Sequence, residues 1–351
     1  MTKAQSMELK GIAILFMFLL HLFNTHEFSH IYDEYIHIGA SSLTFYISLY
    51  ADVCVAMFLF VSGYGLYFKY SKHNPSRGSY LKSLIPGIKG LMVNYWIILL
   101  LFPVFIGVVL GYGESTPGSY EKFLLNFFAI DTSYNGAWWF LTTYLLLAIS
   151  SGSLFKAILR FHFIAVFSVV GLVYLIGYVQ RIKVVLVVDN PILNWFLTEA
   201  ALYGNSLLPF VVGAWFVKYD VISSIRRFLG PKFTGFPLKV CIIALFLLLF
   251  IAKSYLPSLF FAVFFFAATI ILYLLWDTTG LVAAALGYLG KHSTNLWLTH
   301  MFIYLQFEQF KALIYWSRDP LLILCSLVVV CLAFSYPINW AKDRVMKFFE
   351  G

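Results

Sequence analysis

The stretch "ELKGIAILFMFLLHLF", which begins at Glu8, sets a lysine and a histidine inside one apolar run. Ionisable residues at bilayer depth are costly, about 2.5 to 3.5 kcal/mol on insertion scales, so a chain that keeps one usually uses it. Lys10 and His21 are eleven positions apart. At about 100° per residue, eleven steps end about 20° past three full turns, so both side chains share one helix face. With a rise of about 1.5 Å per residue, His21 lies roughly 16 Å beyond Lys10 along the axis. An ammonium holds phosphate as a point charge and imidazole is the commonest general base. A ligand with an anionic head and a reactive group at the end of a long thin arm fits that spacing, and acyl-coenzyme A has this shape. The competing readings are a histidine hydrogen-bonded to a neighbouring helix and a lysine that snorkels to the interface.

A second histidine, His300, sits in "LGKHSTNLWLTHMFIY". If that span enters at Lys291, His300 is about nine residues in, roughly 13 Å deep and close to the depth of His21. Ser293, Thr294, Asn295 and Thr299 on the same helix read as groups that bind helices together. In "FLFVSGYGLYF", Ser62, Gly63 and Tyr64 permit close backbone approach, either by another helix or by a ligand. The following loop carries Lys69, Lys72, Arg77, Lys82 and Lys89, a positive patch explained either by membrane topology or by an anionic ligand.

On the opposite side, "DTSYNGAWWFLTTYL" offers Asn135, Trp138 and Trp139. Aromatic faces beside polar groups suit sugar rings, and interfacial belts collect tryptophan as well. His26, Glu27, His30, Asp33, Glu34 and His37 crowd the first outer loop without the spacing of a metal site, and read as solvated loop. No metal is expected. The patterns G-x-S-x-G, H-E-x-x-H and G-x-x-x-x-G-K-[ST] do not occur.

The elements that must position these residues are membrane helices. Of 351 residues, 61% are hydrophobic and only 11% charged, far below the roughly 25% charged residues of soluble domains. Apolar runs of about 20 residues recur throughout. They predict an all-α, polytopic helical bundle with about ten spans, near 9–27, 44–69, 88–111, 137–156, 161–180, 199–218, 238–253, 257–276, 290–310 and 320–341, forming a single domain over 1–351 with no appended soluble domain. Alternating the sides of these spans puts eighteen of the 24 Lys and Arg on one side, which predicts both termini in the cytoplasm. The formal charge of +8 is thereby a topology signal, and nucleic-acid binding is excluded. Cys54, Cys241, Cys325 and Cys331 all lie in apolar runs and read as reduced packing residues. Lys3 and Lys10 precede an apolar core, but no small-residue cleavage site follows, so the run reads as a retained first helix. No internal repeat supports an inverted-repeat transporter.

Taken together, the Lys10 to His21 interval, "FLFVSGYGLYF", "WWFLTTYLLL" and "LGKHSTNLWLTHMFIY" resemble the acyltransferase 3 family, multi-spanning proteins that O-acetylate bacterial surface glycans. The resemblance implies that His21 is catalytic, with His300 the late-helix histidine; that Lys10, Ser62, Gly63 and Tyr64 belong to the acyl-coenzyme A pocket; and that Lys82 and Lys89 stand where relatives carry an arginine-rich stretch. Many relatives have arginine in place of Lys10, which here keeps the charge without the bidentate fork. The expected activity is transfer of an acetyl group from cytoplasmic acetyl-CoA to a hydroxyl of a cell-surface glycan or its lipid-linked saccharide precursor, at a plasma or inner membrane. The alternative is a transporter passing an acyl group or small solute to a separate acceptor enzyme.

Overall fold

The structure is a computed structural model, and it describes residues 1–24, 30–72, 77–230 and 233–350. Within the first outer loop, His26 and Glu27 lie outside the described residues. Among the described residues ten long helices carry the fold: α1 (Lys3–Phe23), α2 (Cys54–Lys72), α3 (Arg77–Leu99), α4 (Trp139–Arg160), α5 (Phe163–Lys183), α6 (Pro191–Lys218), α7 (Gly235–Tyr255), α8 (Ala262–Trp276), α9 (Gly280–Met301) and α10 (Pro320–Glu350). Helix is the necessary outcome for such a sequence, because inside hydrocarbon every backbone N–H and C=O has to be satisfied within its own segment. The described strands are a two-residue hairpin, His37–Ile38 with Ser41–Ser42.

Among the described residues, nine helical spans are long and apolar enough to cross a membrane. The tenth long helix, α9, matches them in length but is diluted by Lys291, His292, Ser293, Thr294, Asn295 and His300. Several boundaries differ from the expected spans, among them the starts of α3 (Arg77 against 88) and α6 (Pro191 against 199), and those of α1 and α9 change where site residues sit. Helix α1 starts at Lys3, so Lys10 sits two turns inside the helix instead of at its mouth. Helix α9 starts at Gly280, ten residues before the expected entry, because "GLVAAALGYLG" is rich in good helix formers. His300 is therefore twenty residues from the start of its helix.

The chain groups into two compact units. One comprises Met1–Ala13, Asp52–Leu84 and Thr143–Gly287; the other comprises Ile14–Ala51, Ile85–Thr142 and Tyr288–Gly351.

In the first unit, α2 packs on α6 at backbone distance. A Cβ built on Gly63 would fall 1.9 Å from the Phe210 carbonyl oxygen, and one on Gly213 would fall 2.1 Å from that of Phe60. Only glycine allows this approach, as is usual where membrane helices meet. Phe60 fills the adjoining core against Phe216 and Phe266. The same unit holds a buried ion pair. Lys253, in the last turn of α7, reaches Asp52 at 2.7 Å, with side-chain exposures of 1% and 3%. Lys253 is thus no loop cation, as its place in the charge count had implied.

In the second unit, α3 continues into a π-helical segment, Leu100–Ile106, and α9 into another, Phe302–Gln306. The two are joined by Phe102 stacked on Phe302, ring centroids 5.1 Å apart. Below them runs a buried polar network. The Asn94 amide donates to Asn295 Oδ1, and Asn295 Nδ2 reaches Ser335 Oγ at 2.8 Å and Asn339 Oδ1 at 3.0 Å. His292 Nδ1 lies 2.8 Å from the same Ser335 hydroxyl. This network bonds α9 to α3 and α10 without any charge.

Candidate active site

The second unit brings His21 and His300 together. Their ring centroids are 5.1 Å apart at an interplanar angle of 47°. Phe18 stacks on the His300 ring at 5.6 Å, and Tyr304 stacks on it at 5.9 Å; Tyr304 also lies 6.3 Å from His21. Phe18 and His21 come from α1, three positions apart and so on one face. His300 ends α9, and Tyr304 lies in the π segment that extends it. π-helical turns occur often at functional sites because they turn side chains out of the α-helical register.

The two imidazoles differ. His300 has no exposed surface, whereas His21 is partly open. His300 Nδ1 is 2.7 Å from the Trp297 carbonyl oxygen. A carbonyl only accepts, so Nδ1 carries the hydrogen, and in the neutral ring Nε2 keeps its lone pair. That Nε2 is buried with no hydrogen-bond partner among the described residues. A buried polar atom without a partner is uncommon and marks a place for a donor, whether water or a ligand group. The arrangement sets a nitrogen with a free lone pair next to a second, partly exposed imidazole.

The helix end that carries His300 is held by the segment before α4. Trp138 Nε1 and Asn135 Nδ2 both donate to the Leu298 carbonyl, at 2.9 and 3.1 Å. Trp297 Nε1 donates to the Ala137 carbonyl at 2.9 Å, and Gln306 Nε2 to that of Tyr134 at 2.6 Å. The Tyr134 hydroxyl donates to the Pro117 carbonyl. Burial pushes this phenol up to about 12, so it stays protonated and donating at neutral pH.

The remaining expected residues are distributed as follows. Trp138 and Asn135 have no exposed surface, so they offer no face for a sugar ring to stack on, contrary to the outer-surface position expected of them. Both are consumed in holding α9. Trp139 keeps partial exposure. In the first unit, Gly63 faces α6 backbone, which decides between the two readings of that glycine in favour of helix packing. The Ser62 hydroxyl donates to the Phe58 carbonyl of its own helix at 2.8 Å. The Tyr64 hydroxyl lies 2.9 Å from the amino group of Met1. Lys10, also in this unit, is half-buried on α1, and Lys82 is exposed on α3; Lys89, in the second unit, is half-buried. Helix α1 runs from Lys3 to Phe23 and carries both Lys10 and His21. Among the described residues there is no cluster of His, Cys, Asp and Glu able to hold a metal ion.

Comparison with known families adds one finding. The acyltransferase 3 family, described as an acyltransferase domain, has a model that matches residues 8–340. The chain belongs to this family. It is a multi-pass membrane acyltransferase, and the match takes in α1, the π segments and α9. No curated protein and no solved structure matches it.

Two features of the acyltransferase escaped the sequence reading. The Asp52–Lys253 pair left a signal, since an acid inside the expected span 44–69 and a lysine at the end of the span 238–253 are a candidate intramembrane pair. The clamp on Leu298 left none, because a main-chain carbonyl has no sequence signature.

Proposed function

We propose that the acyltransferase is a membrane O-acetyltransferase that moves an acetyl group from cytoplasmic acetyl-CoA to a hydroxyl of a cell-surface glycan or its lipid-linked precursor. The observation that carries this reading is the unclaimed Nε2 of His300 beside the partly exposed ring of His21. His21 is the group that takes the proton from the acceptor hydroxyl as its oxygen adds to the thioester carbonyl, and returns it to the sulfur as the C–S bond breaks. His300 keeps a lone pair at the same place, to orient the hydroxyl or to share the proton. When bound, the donor supplies the activated acyl group. Cations suit its phosphates, and Lys10, Lys82 and Lys89 are the residues that would hold them. Such binding holds the charged head at the cations and leaves the thioester on its long arm free to reach the histidines.

The lopsided Lys and Arg distribution supports cytoplasmic termini and insertion in a plasma or inner membrane. The test is purified protein given labelled acetyl-CoA and a hydroxyl-bearing glycan. The expected result is label in an alkali-labile ester on the glycan. Donor bound without any ester would overturn the reading in favour of an acyl-passing transporter.

A further inference from the structure

We infer that the segment from Tyr134 to Trp138 is a clamp that fixes the proton-acceptor tautomer of His300, with Trp138 and Asn135 as its positioning residues. The inference rests on the role given to His300 above, and assigns that role its support. His300 Nδ1 is bound to the carbonyl of Trp297, so the ring can only be as well oriented as that peptide. The peptide lies at the end of α9, where the α-helical ladder gives way to π-helical spacing, with Phe307 N donating to Phe302 O at 3.2 Å. A helix end of this kind has more than one arrangement open to it. The clamp removes that freedom by bonding both residues next to the critical carbonyl. Trp297 is tied through its indole to the Ala137 carbonyl, and Leu298 through its carbonyl to Trp138 and Asn135.

The packing points the same way. Gly136, between the two donors, lets the segment lie against α9: a Cβ there would come 3.3 Å from Met301 Cε. Trp138 is set edge-on to Tyr95 at 4.7 Å and to Phe302 at 5.5 Å, so its indole N–H is aimed by rigid neighbours. Asn135 is aimed by its own main chain, since its Oδ1 accepts from the Ala137 amide at 2.9 Å. Two buried donors on one carbonyl exceed what helix packing requires. They are what holding one peptide plane still requires.

The test separates positioning from mere stability. Trp138→Phe keeps an aromatic ring at the position and removes the N–H together with part of the indole, a loss that the control shares. Trp96→Phe is the control, because it deletes an equally ordinary indole bond, Nε1 to the Phe127 carbonyl at 2.9 Å, elsewhere in the same unit. Protein labelled with 15N-histidine is compared by NMR, the His300 signals being identified by their loss in His300→Ala. We expect the Nδ1–H tautomer alone in the wild type and in Trp96→Phe, and a mixture of tautomers in Trp138→Phe. Acetyl transfer should show kcat about tenfold lower in Trp138→Phe with the donor KM unchanged. A single Nδ1–H tautomer in Trp138→Phe, or a kcat no lower than that of Trp96→Phe, would overturn the clamp. If Trp138→Phe does not fold, Asn135→Ser serves: it keeps a local acceptor for the Ala137 amide but is one bond too short for Leu298. The tautomer readout needs no turnover, so a wild type without acetyl transfer would refute the proposed function and still decide the clamp.

Discussion

An imidazole among aromatic rings is useful as a base only if one nitrogen is committed and the other is free. His300 meets this condition through the Trp297 carbonyl, and His21 places a second, partly exposed ring 5.1 Å from it. Lys10 has a separable role in the proposed mechanism, since it would bind phosphate and touch no reacting atom. Lys10→Ala is therefore expected to raise the donor KM about tenfold with kcat nearly unchanged, and Lys10→Arg to restore it; steady-state kinetics with acetyl-CoA check both. An equal fall of kcat and kcat/KM in Lys10→Ala would place the lysine at the chemistry. At this scale the two histidines were legible, because ionisable residues in apolar runs are conspicuous. The free Nε2 was not, for it depends on which carbonyl the other nitrogen meets.

Helices dictate where such residues can go, and their contacts turn on small residues and paired charges. Gly63 and Gly65 lie two residues apart on α2 and read alike in the sequence. A Cβ on Gly63 would meet α6 backbone, whereas one on Gly65 would meet nothing within 4 Å. Gly63→Ala should cost on the order of 1 to 3 kcal/mol or more, from overpacking against main chain that cannot move aside, and Gly65→Ala should be neutral. Thermal unfolding in detergent will separate them, and equal midpoints would contradict the α2–α6 contact. The Asp52–Lys253 pair gives a second test. Lys253→Met strands a buried carboxylate, one of whose oxygens, Oδ1, already lacks a partner among the described residues; losses for breaking such pairs are about 3 to 5 kcal/mol. Changing Asp52→Leu as well should recover most of the lost midpoint. A single mutant as stable as wild type would show that the pair is not desolvated.

The architecture of the whole molecule was the most readable part, since it follows from the length of apolar runs. Expected and observed spans agree closely for 257–276, where an 18-residue helical span covers Leu259–Trp276. They part for α9, whose first half, "GLVAAALGYLG", is punctuated by glycines and whose second half carries the polar network, so the expected span began only at 290. The helix least like a membrane span by composition is the one that carries His300, which is physically sensible: polar groups on a membrane helix must face protein, and protein is where the chemistry is. Topology is also testable at this scale. The charge distribution predicts that green fluorescent protein fused after the last residue will fluoresce and alkaline phosphatase at the same place will be inactive; the opposite pair of results would reverse the orientation, and with it the side from which the donor enters. The central claim, that the His21–His300 pair is the acyl-transfer centre, is tested most directly by single-turnover transfer from labelled acetyl-CoA with purified His21→Ala. The account predicts a rate at least about 100-fold below wild type, with the thermal midpoint retained. Transfer at the wild-type rate would contradict it.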